Sequence, residues 1–160
     1  MKNIETKKAM LRLGKLLVSK YKERIMQDDT YATGKLHDSF KYNVYGDLIL
    51  NLDVLAAKYA SVIDKGRKAG RRPPGSRSII EWMRAKNIKP YSGTKASDYK
   101  KAAKSIADAI SVNGSIARFN NSGTNFIKEV AKQYQGEGIV EVLNAYRKDI
   151  ETEINKTVYK

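Results

Sequence analysis

Ser39-Phe-Lys-Tyr-Asn-Val-Tyr-Gly-Asp-Leu-Ile-Leu-Asn-Leu-Asp53 decides the fold class, because here the apolar residues leave helical spacing and alternate one by one. Phe40, Tyr42 and Val44 alternate with Lys41, Asn43 and Tyr45, and Leu48, Leu50 and Leu52 alternate with Ile49, Asn51 and Asp53. The pattern predicts two strands joined at Gly46-Asp47, where glycine supplies the positive φ of a tight turn. A lone hairpin is marginal in water, so its apolar face must meet further strands or a helix.

Helical spacing surrounds this stretch. From Ile4 to Met26, Met10, Leu13, Leu17, Tyr21 and Ile25 recur every three or four residues among lysines, predicting an amphipathic helix that ends at Gln27-Asp28-Asp29-Thr30. A loop follows at Tyr31-Ala32-Thr33-Gly34. Leu55, Tyr59, Val62 and Ile63 predict a helix over 55–64 stopped by Gly66. Ser76 suits the N-cap of a helix over 77–86, with Ile79, Ile80 and Met83 on one face and Trp82 at its shoulder, closed before Pro90. After a Ser/Gly/Thr connector at 91–96, Tyr99, Ala103, Ile106, Ala107 and Ile110 predict a helix over 97–112 ending at Asn113-Gly114. An irregular loop is expected over 115–124. The remaining segment, 124–157, is apolar at Phe126, Val130, Ile139, Leu143, Tyr146, Ile150 and Ile154, and Gly136 and Gly138 predict a break into two helices. The expected fold class is therefore α+β: one domain over 1–160, an antiparallel sheet with the hairpin packed against the N- and C-terminal helices.

At 160 residues and 41% hydrophobic content, the chain is long enough for a real core. No apolar run reaches membrane-spanning length and the first residues lack a secretory signal, so a soluble protein with no membrane partner, starting in a cytoplasm, is expected. Cysteine is absent, which excludes disulfides and thiolate metal sites. The 31 Lys and Arg against 17 Asp and Glu leave a net charge of +14, a field that attracts nucleic acid or an acidic protein surface.

The densest charge is Lys65-Gly-Arg-Lys-Ala-Gly-Arg-Arg-Pro-Pro-Gly-Ser-Arg77, six cations and no acid in a stretch whose glycines and prolines forbid regular structure. Lys65, Arg67, Lys68, Arg71, Arg72 and Arg77 can meet phosphates or carboxylates, since the guanidinium fork matches both, or the loop is simply solvated. Its spacing fits no phosphate-cradling glycine motif. Trp82 reads as a core or subunit anchor, and Tyr42, Tyr45, Tyr91 and Tyr99 as core edges or as stacking platforms. His37 stands alone among polar residues before the first strand, and Asp28, Asp29, Asp47 and Asp53 form no metal-ligand spacing, so no catalytic centre, metal or cofactor is expected.

The order of these segments resembles the tail-completion and head-tail connector (neck) proteins of tailed bacteriophages. The match reads Tyr59, Ala60, Ile63, Asp64 and Gly66, then Pro73 and Pro74 in an Arg/Pro loop, then Ile79 and Trp82, with Ser105 to Ile110 and Gly123-Thr124-Asn125-Phe126 similar to the closing pattern. A longer Ser/Thr/Lys link at 91–97 and the glycines of the last segment depart from it.

The resemblance implies a non-enzymatic virion subunit at the head-tail junction, assembled in the host cytoplasm into a homo-oligomeric ring between portal or adaptor and tail proteins, around genomic DNA. The hairpin edge and the basic loop are the expected contact patches, for a closed ring joins two different surfaces of each subunit. The alternative is a basic nucleic-acid-binding module using the same loop.

Overall fold

The computed structural model describes residues 3–27, 31–115 and 123–158. Its elements in order are α1 (Ile4–Gln27), α2 (Lys35–Ser39), β1 (Lys41–Tyr45), β2 (Asn51–Leu55), α3 (Ala60–Lys65), α4 (Ser76–Ala85), α5 (Ala96–Asn113) and α6 (Phe126–Val158). The class is α+β, with a two-stranded antiparallel sheet among helices. The chain divides into two compact units: residues 1–25, 37–57 and 126–160 form the first, and residues 26–36 and 58–125 the second.

In the first unit, the hairpin lies on α1 at Gly14, and α6 packs on α1 at Leu13. The register sets Tyr42 opposite Val54 and Val44 opposite Leu52, so these four half-buried side chains share the inner face. Gly14 of α1 lies under that face, where a Cβ would come within 2.5 Å of the Tyr42 ring and 2.9 Å of Leu52. Glycine therefore lets the sheet sit on the helix. A ring cluster closes the core: Tyr21 stacks on Phe40 with centroids 5.3 Å apart, and Phe126 meets both edge-on at 6.3 and 6.2 Å. Contacts of this geometry add about 0.5–1.5 kcal/mol each beyond the area they bury.

Four expectations are corrected in the structure. The second strand starts at Asn51 rather than Leu48, because Tyr45 pairs with Asn51 and leaves residues 46–50 as a turn. Gly46, at φ 100°, makes that turn, and Leu48 and Ile49 stand exposed at its tip. Secondly, the helix expected over 55–64 is only Ala60–Lys65. Leu55 is taken by its pairing with Lys41, and the Ser39 hydroxyl accepts the Ala57 N–H at 2.9 Å, which keeps the chain extended.

Thirdly, Gly136 and Gly138 do not break the last helix. α6 is continuous for 33 residues, and Gly138 is where the Leu13 side chain of α1 packs onto α6, in space a Cβ would fill. The propensity cost of glycine is offset by close packing of the two helices. Fourthly, α2 forms over Lys35–Ser39, between the expected loop at 31–34 and the first strand, where no helix was expected; with only Leu36 of its five residues buried, it is too short to show a period. Asp28, Asp29 and most of the loop expected over 115–124 lie outside the described residues.

The second unit packs α4 on α5 through Ile79, Met83, Ala103 and Ala107, with Ile80, Trp82, Ile88, Tyr99 and Ile106 around them. Small alanines on α5 let the larger residues of α4 approach its backbone. Gly66 at φ 72° and Gly114 at φ 71° end α3 and α5 as expected from the sequence.

Candidate functional site

The basic loop is seated, not loose. It leaves α3 at Gly66 and is laced to the C-terminal end of α5 by four hydrogen bonds. The Gly70 N–H donates to the Ser111 carbonyl at 2.7 Å, the Ser111 hydroxyl to the Arg71 carbonyl at 2.7 Å, the Arg67 N–H to the Ser115 hydroxyl at 2.8 Å, and the Ser115 N–H to the Arg67 carbonyl at 2.8 Å. Gly114 is part of this seat, since a Cβ there would strike the Arg67 carbonyl and the Ala69 nitrogen. Carbonyls at a helix C-terminus lack intrahelical partners, and here the loop supplies one. The Arg67 guanidinium turns back to donate to the Arg72 carbonyl.

With its backbone fixed, the loop displays its charge. Lys65, Lys68, Arg71, Arg72 and Arg77 are exposed and Arg67 is half-buried. Arg77 begins the face of α4 and lies 3.5 Å from Glu81, whose other oxygen takes a 2.6 Å hydrogen bond from Lys35. That hydrogen bond, with the Lys35 charge behind it, holds the Glu81 carboxyl below the usual carboxylate range. Trp82 packs half-buried against the α4–α5 core. Tyr99 also lies there, under the Arg84 guanidinium at 5.4 Å from its ring centroid. His37 closes α2 with Nδ1 2.8 Å from the Asp38 carboxylate.

Two phrases distant in sequence meet at the start of this loop. The Asn125 N–H donates to the Asp64 carbonyl at 2.9 Å and the Thr124 hydroxyl to the Ile63 carbonyl at 3.2 Å. Gly123, at φ 70°, fits against Asp64 and Lys65 where a side chain would collide.

Arg84, Lys100 and Lys104 are not among the cations expected at the site. They line a groove between α4 and α5 with Arg77, and their signal is spacing: 77, 81 and 84 share one face of α4, and 100 and 104 one face of α5. The charge is also unevenly divided. The second unit carries 16 Lys and Arg against 6 Asp and Glu, a surplus of ten, whereas the first carries 15 against 11, a surplus of four. Among the described residues no cluster of His, Asp and Glu can hold a metal ion, and no helix is long and apolar enough to cross a membrane. No family model, curated protein or solved structure matches this chain.

Proposed function

We propose that this chain is a structural virion protein of the head-tail junction, assembling as a ring between portal or connector and tail and lining or sealing the DNA conduit. The observation that carries the reading is an apolar stripe on α6. Ile139, Leu143, Tyr146, Ile154 and Val158 follow helical spacing and are 43–66% exposed, while Gly138, Ala145 and Asp149 take the buried positions of the same helix. An exposed row of large apolar side chains is a protein-association surface. Copies of a chain with so large a net charge repel one another, so the nearly balanced first unit, which carries this stripe, is where a second copy can approach. The two-stranded sheet adds unpaired strand edges among the described residues, a further template for a neighbour.

The residues quoted for the likeness to tail-completion proteins support the same reading, and the surplus of the second unit suits a surface that faces DNA. Nothing in this role requires bond-breaking chemistry. Immunogold labelling of the assembled particle tests it: label is expected at the neck between head and tail, and label confined to non-particulate nucleoprotein favours a free nucleic-acid-binding module instead. That second reading rests on the same uneven charge.

A further inference from the structure

We infer that the groove between α4 and α5 is a sequence-independent seat for the phosphate backbone of duplex DNA, continuous with the basic loop. The inference deepens the DNA-facing part of the proposed function and rests on it for the identity of the anion.

The groove encloses about 610 Å³. Arg77 and Arg84 stand on its α4 wall and Lys100 and Lys104 on its α5 wall, with Ile80 as an apolar floor. Its single acid, Glu81, is already occupied by Lys35 at 2.6 Å and Arg77 at 3.5 Å. Arg84, Lys100 and Lys104 form no ion pair among the described residues, and neither do the loop cations Arg71 and Arg72. The helices of the first unit behave differently. There Arg12 is matched by Glu141, Arg24 by Glu129, Lys20 by Glu23 and Arg147 by Glu151, at 2.6–2.9 Å. Cations left unmatched on two facing walls repel one another, and a polyanion laid between them relieves that repulsion and releases its own counterions.

Three features favour phosphate over bases, and the first of them also disfavours a single strand. The lining carries no aromatic ring, since Trp82 and Tyr99 are turned into the core, so stacking platforms for unpaired bases are missing from it. Arg84 is steadied over the Tyr99 ring, which fixes the direction of its guanidinium. Ser76 lines the groove at the start of α4, whose first turn has no acidic residue and no side-chain cap; the Ser78 N–H is taken by the Gly75 carbonyl at 3.1 Å, and the positive end of the helix dipole favours an anion there. Arg77 belongs to both groove and loop, so a strand of phosphates can run from one to the other.

The test is fluorescence anisotropy with a short DNA duplex of arbitrary sequence, as a function of salt, with light scattering on every sample. Lys100→Gln with Lys104→Gln is expected to weaken binding about tenfold and to reduce the salt slope by about 2. Glu81→Gln is expected to strengthen it. Removing two cations of α1, Lys15→Gln with Lys22→Gln, is expected to change it by less than about twofold. The inference is overturned if the α1 pair costs as much as the groove pair, which is the behaviour of net charge alone. It is also overturned if polyglutamate displaces the duplex as well as competitor DNA does, which points to an acidic protein surface. Groove-dependent binding by a protein that never self-associates contradicts the connector reading and leaves the groove intact; self-association with binding indifferent to the groove does the reverse.

Discussion

Asp149, near the C-terminal end of α6, closes the N-terminus of α1 through Thr6: its Oδ2 accepts the Thr6 N–H at 2.8 Å and the Thr6 hydroxyl at 2.7 Å, and Oδ1 accepts the Glu5 N–H at 3.1 Å. The first-turn donors of a helix usually find a cap two or three residues before them; here the cap comes from the other end of the sequence. One contact thus satisfies a helix end and ties the first and last helices of the unit together. Burial alone would raise the Asp149 carboxyl, but the donors of Thr6, Glu5 and Ile4 outweigh it and leave it below its ordinary range.

A pH signature follows from that sign. Because the folded carboxyl is the stronger acid, it stabilises the fold at pH values above the unfolded value of about 3.9, and this contribution fades as pH falls through the folded value. Asp149→Asn is expected to cost about 1–2 kcal/mol in urea unfolding near neutral pH. The gap to the wild type should shrink steadily under acid. A gap that stays constant down to the acid transition would contradict the capping role.

The two glycines of α6 should respond in opposite directions. Gly136 has open space around it, so Gly136→Ala is expected to stabilise by about 0.5–1 kcal/mol through helix propensity. At Gly138, an added methyl meets the Leu13 side chain, and Gly138→Ala is expected to destabilise by about 1–3 kcal/mol. Thermal melts of the two variants decide this; equal shifts would mean that α6 does not rest on α1 at Leu13.

The second unit has a small core, and Met83, 1% exposed, is its largest fully buried side chain. Met83→Ala is expected to cost about 2–5 kcal/mol. Hydrogen exchange should localise the loss, with α4 and α5 amides losing protection before those of α1 and α6. Uniform loss across all four helices would show that the units unfold as one.

The elements that the sequence shows well are those whose burial repeats over several turns. α1, α4 and α5 fall within one or two residues of the spans their apolar spacing predicts, and the inward parity of the hairpin, Tyr42 and Val44 against Leu52 and Val54, follows the alternation. Positions set by a distant partner were not visible. Leu55 reads as helical until Lys41 pairs with it, and Gly138 reads as a breaker until Leu13 fills its place. The site divides the same way. The loop cations stand together in sequence and were evident; Arg84, Lys100 and Lys104 face one another only once α4 lies on α5.

Self-association through the outer stripe of α6 is the central claim, and static light scattering across a concentration series tests it most directly. The wild type is expected to form a species of defined mass, a whole-number multiple of the 18.0 kDa chain, which Leu143→Glu with Ile154→Glu converts to single subunits of unchanged helicity. A wild-type protein that remains a single subunit at every concentration, or a double variant that assembles as before, would contradict the account.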